Sequence, residues 1–403
     1  MAVLPAESRL LVIMTGGTIC MRPSPEGLIP AKGFLDAGMA PRPSFNDGSK
    51  PVEISAYTET GASTTLSSLR TPQSRYERHV RYAVLEFEQL LDSSSIDAKG
   101  WSQIAKTIGL NYAAFDGFVV LHGTDSLAYT ASALSFMLED LAKPVIFTGS
   151  QAPIFELQTD ATDNLLDSLI IAGHFRIPEV CICFQHKLFR GNRCTKVSAN
   201  HFDAFASPNL APLATVTSSQ INVDWTVIRQ RPSNHGKTAS LSHLKVHPDL
   251  DTTHVAALRI FPGILPAMID AVLRLPTLRG LVLETFGAGN APSGQDNALI
   301  TIFTEAVERG IVIVNVTQCL TGSVSPTYAP AMVLGRAGIV PGFDLTTEAA
   351  LTKLSFLLAV HGEDVEGVKR GMALDLRGEL SVGGDVEFGA QSPVLTKKLS
   401  LGQ

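Results

Sequence analysis

The sequence predicts an α/β protein in two parts: a larger N-terminal domain with a mainly parallel sheet flanked by helices, then a smaller C-terminal α/β domain. Three observations lead there. The 403 residues exceed the roughly 250–300 at which single hydrophobic cores stop growing. Short Val/Ile/Leu-rich runs alternate with amphipathic segments, the pattern of parallel strands covered on both faces by helices. A polar, turn-rich stretch, Arg229-Gln-Arg-Pro-Ser-Asn-His-Gly-Lys237, interrupts that rhythm. The expected boundaries are 1–222 for the first domain, 223–252 for a linker and 253–403 for the second.

Taken in order, the strands expected in the first domain are Leu10–Met14, Gly117–His122, Pro144–Thr148 and Val180–Phe184. Between them, Ser126–Leu141 and Thr162–Ala172 carry apolar residues at helical spacing. In the second domain Val255–Phe261, Leu281–Thr285 and Ile311–Val316 read as strands, and Thr347–Val360 as the largest helix. Residues 20–50 and 58–75, rich in Pro, Gly, Ser and Thr, are expected as mobile surface segments. No internal repeat of fixed period is present.

Composition removes several function classes. With 45% apolar and 17% charged residues the chain is globular rather than disordered. A net charge of -6 with scattered Lys and Arg offers no basic stripe for a phosphate backbone, so nucleic acid is not expected as a partner. The longest apolar run near the N-terminus, Leu10–Met14, is too short for a signal-peptide core or a membrane span, which predicts a cytoplasmic protein with no membrane partner. Five sparse cysteines, Cys20, Cys181, Cys183, Cys194 and Cys319, fit reduced thiols. Cys181 and Cys183 share one face of a strand and read as buried side chains rather than a ligand pair. His243 and His247 are four apart but fall in the irregular region, so no metal site is expected.

Two strand ends carry unusual chemistry. The first ends in Thr15-Gly-Gly-Thr18, where consecutive glycines allow a sharp turn and present Thr18 at a strand's carboxyl end, the edge where open α/β sheets bind ligands. A phosphate cradle or a plain tight turn are the competing readings, although neither G-x-G-x-x-G nor Gly-Lys-Ser/Thr is present. The second ends in His122-Gly-Thr-Asp125 just before a helix, placing Thr124 and Asp125 where free N–H groups and the helix dipole favour anions. Asp125 or Ser126 could equally be a helix N-cap, and His122 reads as structural. Hydroxyls need a base, and Lys196 in Arg190-Gly-Asn-Arg-Cys-Thr-Lys196 is the candidate, against the alternative of a solvated basic loop.

Thr15-Gly-Gly-Thr-Ile19 and His122-Gly-Thr-Asp125 resemble the two motifs of the bacterial-type asparaginase/glutaminase family. Asp92-Ser-Ser94, Thr148-Gly-Ser-Gln151, Arg190-Gly-Asn-Arg193, Asp203-Ala-Phe-Ala-Ser-Pro-Asn209, Phe286-Gly-Ala-Gly-Asn-Ala-Pro292 and Asn315-Val-Thr-Gln-Cys319 resemble its cytoplasmic type I branch, from about residue 9 to 380. The resemblance implies hydrolysis of L-asparagine to L-aspartate and ammonia through a Thr18 nucleophile and an acyl-enzyme intermediate. It implies a second group in which Lys196 draws the proton from Thr124, with Asp125 pairing the substrate α-ammonium. Asp92, Ser93 and Ser94 match the segment that holds the α-carboxylate. It further implies no cofactor, and a homodimer or homotetramer with the site near a subunit contact. Thr195 and Cys319 fall in segments similar to the effector region of some type I enzymes.

The sequence also departs from the family pattern. Leu28 stands where most bacterial members have a lid tyrosine that helps the nucleophile lose its proton, Cys20 replaces a small residue, Ser95 replaces Asp, and Ser126 replaces Thr. Five of the six tyrosines, Tyr57, Tyr76, Tyr82, Tyr112 and Tyr129, fall outside the strand-end motifs. Tyr328, in the turn-rich loop Thr321–Pro330, is the candidate replacement, reaching Thr18 from a partner subunit; the alternative is an interface tyrosine. Competing functions are a glutaminase-leaning amidohydrolase, the asparaginase-like subunit of a transfer-RNA amidotransferase, and a catalytically weak asparagine sensor. The lysophospholipase name of longer relatives with ankyrin repeats finds no sequence support, since no such repeat follows residue 380.

Overall fold

The computed structural model describes residues 6–25, 27–229, 244–292, 297–325 and 329–381. Its strands in the first half are β1 (Glu7–Gly16), β2 (Met21–Ser24), β3 (Gly27–Pro30), β4 (Val52–Tyr57), β5 (Ser63–Arg70), β6 (His79–Leu91), β7 (Gly117–Leu121), β8 (Leu138–Glu139) and β9 (Val145–Thr148). There follow β10 (Val180–Phe184), β11 (Lys187–Arg190), β12 (Thr195–Lys196), β13 (Phe205–Ala206), β14 (Ala214–Val216), β15 (Ile221–Val223) and β16 (Lys245–Val246). The last are β17 (Val255–Arg259), β18 (Gly280–Thr285), β19 (Val312–Thr317) and β20 (Val340–Pro341). The helices are α1 (Ala98–Asn111), α2 (Leu127–Met137), α3 (Ala161–His174), α4 (Pro266–Leu273), α5 (Ala298–Glu308), α6 (Ala329–Arg336), α7 (Thr347–His361) and α8 (Val365–Ala373).

A ten-stranded sheet runs in the order β15-β14-β11-β10-β9-β7-β1-β6-β5-β4. The stretch β10-β9-β7-β1-β6 is parallel throughout, and both flanks are antiparallel. β1 shows why its sequence is continuously apolar. Leu11 and Ile13 share a core with Ile104 of α1 and Leu134 of α2, whereas Leu10, Val12 and Met14 face Leu165 and Leu169 of α3. Strand side chains alternate between faces, so a strand covered on both sides needs apolar residues at every position. Cys181 and Cys183 are packed in the core on the α3 side, where burial pushes both thiols up. α1 and α7 start at conventional caps: the Asp97 carboxylate accepts from Lys99 N and Gly100 N at 2.9 and 3.1 Å, and Thr346 Oγ1 accepts from Ala349 N at 3.1 Å.

The four strands β17-β18-β19-β20 form a second, parallel sheet. Leu281, Leu283 and Ile313 meet α4 and α5 on one face, while Val282, Val312 and Val314 meet α7 and α8 on the other. α7 also packs on α2, with the Phe356 and Phe136 rings stacked 5.9 Å apart and Ser132 hydrogen-bonded to Thr352 at 2.7 Å. Sandwiched in this way, α2 is buried on nearly every side, so it has no polar face.

Two stretches expected as mobile surface do lie largely at the surface, but each contains parts built into the fold. Within residues 20–50 the β2–β3 hairpin is exposed, but Phe34, Met39 and Phe45 plug the α3-side core, and Glu86 of β6 accepts from the backbone nitrogens of Gly33 and Phe34 at 3.0 and 2.6 Å. Within 58–75, Ser63–Arg70 is β5, paired with β4 and β6. Ser/Thr-rich composition marks loops, but alternating Ser, Thr and Leu also suits an outer strand whose faces alternate in exposure. In the irregular region, β16 pairs with β8 and His247 Nε2 meets Glu139 Oε2 at 2.6 Å; His243 lies outside the described residues.

Candidate active site

The adjacent parallel strands β6, β1, β7 and β9 each lead, at the carboxyl end, into one of the segments the sequence singles out. Asp92-Ser-Ser94 follows β6, Gly17-Thr18 follows β1, His122-Gly-Thr-Asp125 follows β7 and Gly149-Ser-Gln151 follows β9. Thr15 Oγ1 donates to Leu121 O at 2.9 Å and fastens the ends of β1 and β7.

Two glycines then bring the segments into contact. Gly17 has φ 90°, and a Cβ there would lie 2.5 Å from the Gly123 nitrogen. A Cβ on Gly123 would lie 2.4 Å from Ser93 Oγ. Both positions exclude any side chain, and the result is three chain segments pressed together around Thr18, Ser93 and Thr124. Thr18 opens a short 3₁₀ turn, Thr18–Cys20, and is half-buried. Ser93 is buried between exposed Asp92 and Ser94, and the Asp92 carboxylate accepts from Ser94 N at 3.1 Å, fixing that turn. Cys20 lies inward with Sγ 3.1 Å from Gly17 O, its thiol pushed up to about 12 by burial.

Lys196 arrives from β12, which pairs with β13 outside the main sheet. Its Nζ donates to Thr124 Oγ1 and to Asp125 Oδ1, both at 2.8 Å. The Asp125 side chain is 68% exposed and the Lys196 side chain 18%, so the ammonium is largely shielded from solvent and the carboxylate is open to it. Neither Asp125 nor Ser126 spends its side chain capping α2: Asp125 is held by Lys196, and Ser126 Oγ donates to Ser93 O. His122 is structural and has partners. Nδ1 faces Gly123 O at 2.8 Å and Nε2 faces Thr130 Oγ1 at 3.0 Å, while burial pulls its pKa down to about 4. A neutral ring donating from Nδ1 satisfies both contacts.

Two residues of the site had no role assigned from sequence. Gln151 meets Thr124 Oγ1 at 3.1 Å, and Glu348 of α7 accepts from Thr195 Oγ1 at 2.6 Å, its carboxyl pushed up by burial. A polar residue closing a Gly-Ser turn at a strand's carboxyl end was the available signal for Gln151; Glu348 reaches the site only through tertiary packing. Leu28, on the exposed β2–β3 hairpin, is 46% exposed. Tyr328 lies outside the described residues. Among the described residues no cluster of three or more His, Cys, Asp or Glu could hold a metal ion, and no helix is long and apolar enough to cross a membrane.

The asparaginase N-terminal family pattern matches residues 9–229, and the glutaminase/asparaginase C-terminal domain pattern matches residues 254–372. The chain belongs to the asparaginase family. Its family relatives include the L-asparaginase 1 of Escherichia coli K12, 40% identical over 376 residues and covering 93% of this chain and 98% of that one. A mouse protein named 60 kDa lysophospholipase is 45% identical over 376 residues, 93% of this chain. This asparaginase-family chain spans 63% of that longer relative. Among solved structures, L-asparaginase I of Vibrio cholerae superposes with a TM-score of 0.76 at 37% identity, covering 94% of this chain and 100% of that one.

Proposed function

We propose that the chain hydrolyses L-asparagine to L-aspartate and ammonia, with Thr18 as nucleophile. The Lys196–Thr124–Asp125 cluster, set on the strand end next to that of Thr18, carries this reading. Thr18 Oγ attacks the side-chain amide carbon; the new C–O bond forms, the C–N bond breaks, and nitrogen leaves as ammonia after taking a proton. Water then attacks the Thr18 ester, releasing aspartate and restoring the hydroxyl. Lys196 and Thr124 move the protons: when Nζ is neutral, the Thr124 hydroxyl can rotate and donate to it. Asp125, its carboxylate open to solvent, pairs the substrate α-ammonium, while Ser93 and the Ser94 region donate to its α-carboxylate. Asp92 serves by holding that turn. The domain limits 1–222 and 253–403, a homodimer or homotetramer, a cytoplasmic location, and Tyr328 as a donor to Thr18 remain part of the same proposal.

Ammonia release from asparagine and from glutamine tests the reaction and the preference between them, since one methylene is worth only about 1–3 kcal/mol in a pocket. Thr18→Ala is expected to abolish turnover while asparagine still binds; normal turnover by that variant would reject the nucleophile. The mammalian relative's name supplies a second reading, a lysophospholipase. Fatty-acid release from lysophosphatidylcholine that survives Thr18→Ala, with no ammonia from either amide, would favour it. Saturable asparagine binding without ammonia would instead favour a sensor.

A further inference from the structure

Gln151 belongs to the Thr148-Gly-Ser-Gln151 segment, which the proposed reaction leaves without a task. Its backbone is rigidly placed. Asp160, 3% exposed, accepts from Gln151 N at 3.0 and 3.1 Å, from Ala152 N at 3.2 Å and from Asn164 Nδ2 at 3.1 Å. Burial pushes the Asp160 carboxyl up, and those donors oppose the shift. A Cβ on Gly149 would meet His122 O at 2.3 Å, so the turn is also pressed against the second motif.

The Gln151 side chain bridges two segments of the site. Nε2 lies 3.2 Å from His201 O and 3.5 Å from Ser198 O, in the segment just after Lys196, while Oε1 lies 3.1 Å from Thr124 Oγ1. The two carbonyls can only accept, so the amide nitrogen must face them and the amide oxygen must face Thr124. That oxygen also only accepts. The single Thr124 hydroxyl proton therefore goes to Gln151, and Thr124 meets Lys196 with a lone pair, receiving a hydrogen bond from Nζ at 2.8 Å.

We infer that Gln151 is a positioning residue that sets the direction of the Thr124 proton and keeps the segment carrying Lys196 at hydrogen-bond distance from it. In this arrangement it holds the proton away from Lys196, and transfer to the amine follows rotation of the hydroxyl. This rests on the asparaginase reading and assigns Gln151 no contact with substrate.

The test compares wild type, Gln151→Leu and Gln151→Glu for kcat, KM and the pH profile of kcat on asparagine, with thermal unfolding as a control. Gln151→Leu keeps the bulk and removes both hydrogen-bonding ends. It is expected to lower kcat ~10- to 100-fold, below the ~10²- to 10⁴-fold of losing the proton-transfer group itself because Gln151 only positions it, to change KM less than ~3-fold, and to displace the limb of the profile that reports the Lys196–Thr124 pair. Gln151→Glu keeps an acceptor for Thr124 but sets a carboxylate against two carbonyls. Protonation restores a donor toward them, so its kcat is expected to recover relative to wild type as pH falls. Should the Leu variant fail to fold, the Glu variant carries the same readout. An unchanged kcat and profile, or a lower kcat with an unmoved profile in both variants, overturns the inference. Absence of ammonia from the wild-type protein is a different result and overturns the asparaginase reading instead.

Discussion

At the scale of single residues, the site depends on hydrogen-bond direction and on missing side chains. Lys196→Met removes the donor shared by Thr124 and Asp125. It is expected to lower kcat by ~10²- to 10⁴-fold, the usual contribution of an aligned acid–base group, while calorimetric asparagine binding to the variant is retained. An unaltered kcat–pH profile in that variant would remove Lys196 from proton transfer. Gly123→Ala tests the close approach of the motifs, because its Cβ would fall 2.4 Å from Ser93 Oγ. The turn must shift to admit it, so KM for asparagine should rise, through the displaced Ser93, as well as kcat fall. Steady-state kinetics with KM unchanged would show that Ser93 does not hold the substrate.

At the scale of elements, the loop after α8 is fastened to the segment that carries Lys196. Arg190 donates to Gly378 O at 3.2 Å, Asn192 to Arg377 O at 3.1 Å and Arg193 to Ser381 Oγ at 2.8 Å, while Arg193 also binds Asp344, just ahead of α7, at 2.7 Å. Beneath them Lys353 Nζ of α7 meets Glu379 Oε1 at 2.6 Å with both side chains fully buried. Burial works against the charged form of Glu379, but the Lys353 ammonium and the backbone nitrogens of Leu376 and Arg377 hold its carboxyl below the usual range. Lys353→Met leaves that carboxylate uncompensated and is expected to cost about 3–5 kcal/mol, the scale for breaking a buried pair. Urea unfolding of Lys353→Met against the double variant Lys353→Met/Glu379→Leu checks this, since removing both charges should restore most of the loss. None of this network is legible in the sequence: Arg193 and Asp344 are far apart in the chain, and nothing local marks Lys353 as the buried partner of Glu379.

At the scale of the whole molecule, buried histidines tie stability to pH. His122 and His174 are both pulled down to about 4, by burial first, from a model-peptide value near 6.5. Between about pH 6.5 and 4 the unfolded chain binds these protons and the native chain does not, so stability falls as pH drops through that window. For fully buried His122 the shift from 6.5 to about 4 corresponds to roughly 3 kcal/mol. Unfolding free energies at pH 7 and pH 4.5 should show the loss, and His122→Gln should flatten it. An identical slope in that variant would mean that the ring is already protonated in the native state.

The sequence by itself determined the α/β class, most of the strands with doubly buried faces, the α2, α3 and α7 helices, and the strand-end motifs bearing Thr18, Thr124 and Asp125. These are legible because apolar periodicity and glycine conformational freedom act over a few neighbouring residues. The Pro-, Gly-, Ser- and Thr-rich stretches, which do lie largely at the surface, show the limit of composition, since whether β5 pairs and whether Phe34, Met39 and Phe45 are buried depends on partners remote in the chain. Tertiary structure alone decided that β6, β1, β7 and β9 lie side by side, so that Ser93, Thr18, Thr124 and Gln151 share one edge. It alone decided which end of the Gln151 amide faces Thr124, because hydrogen-bond direction is fixed by the acceptors on the other side, here the carbonyls of Ser198 and His201.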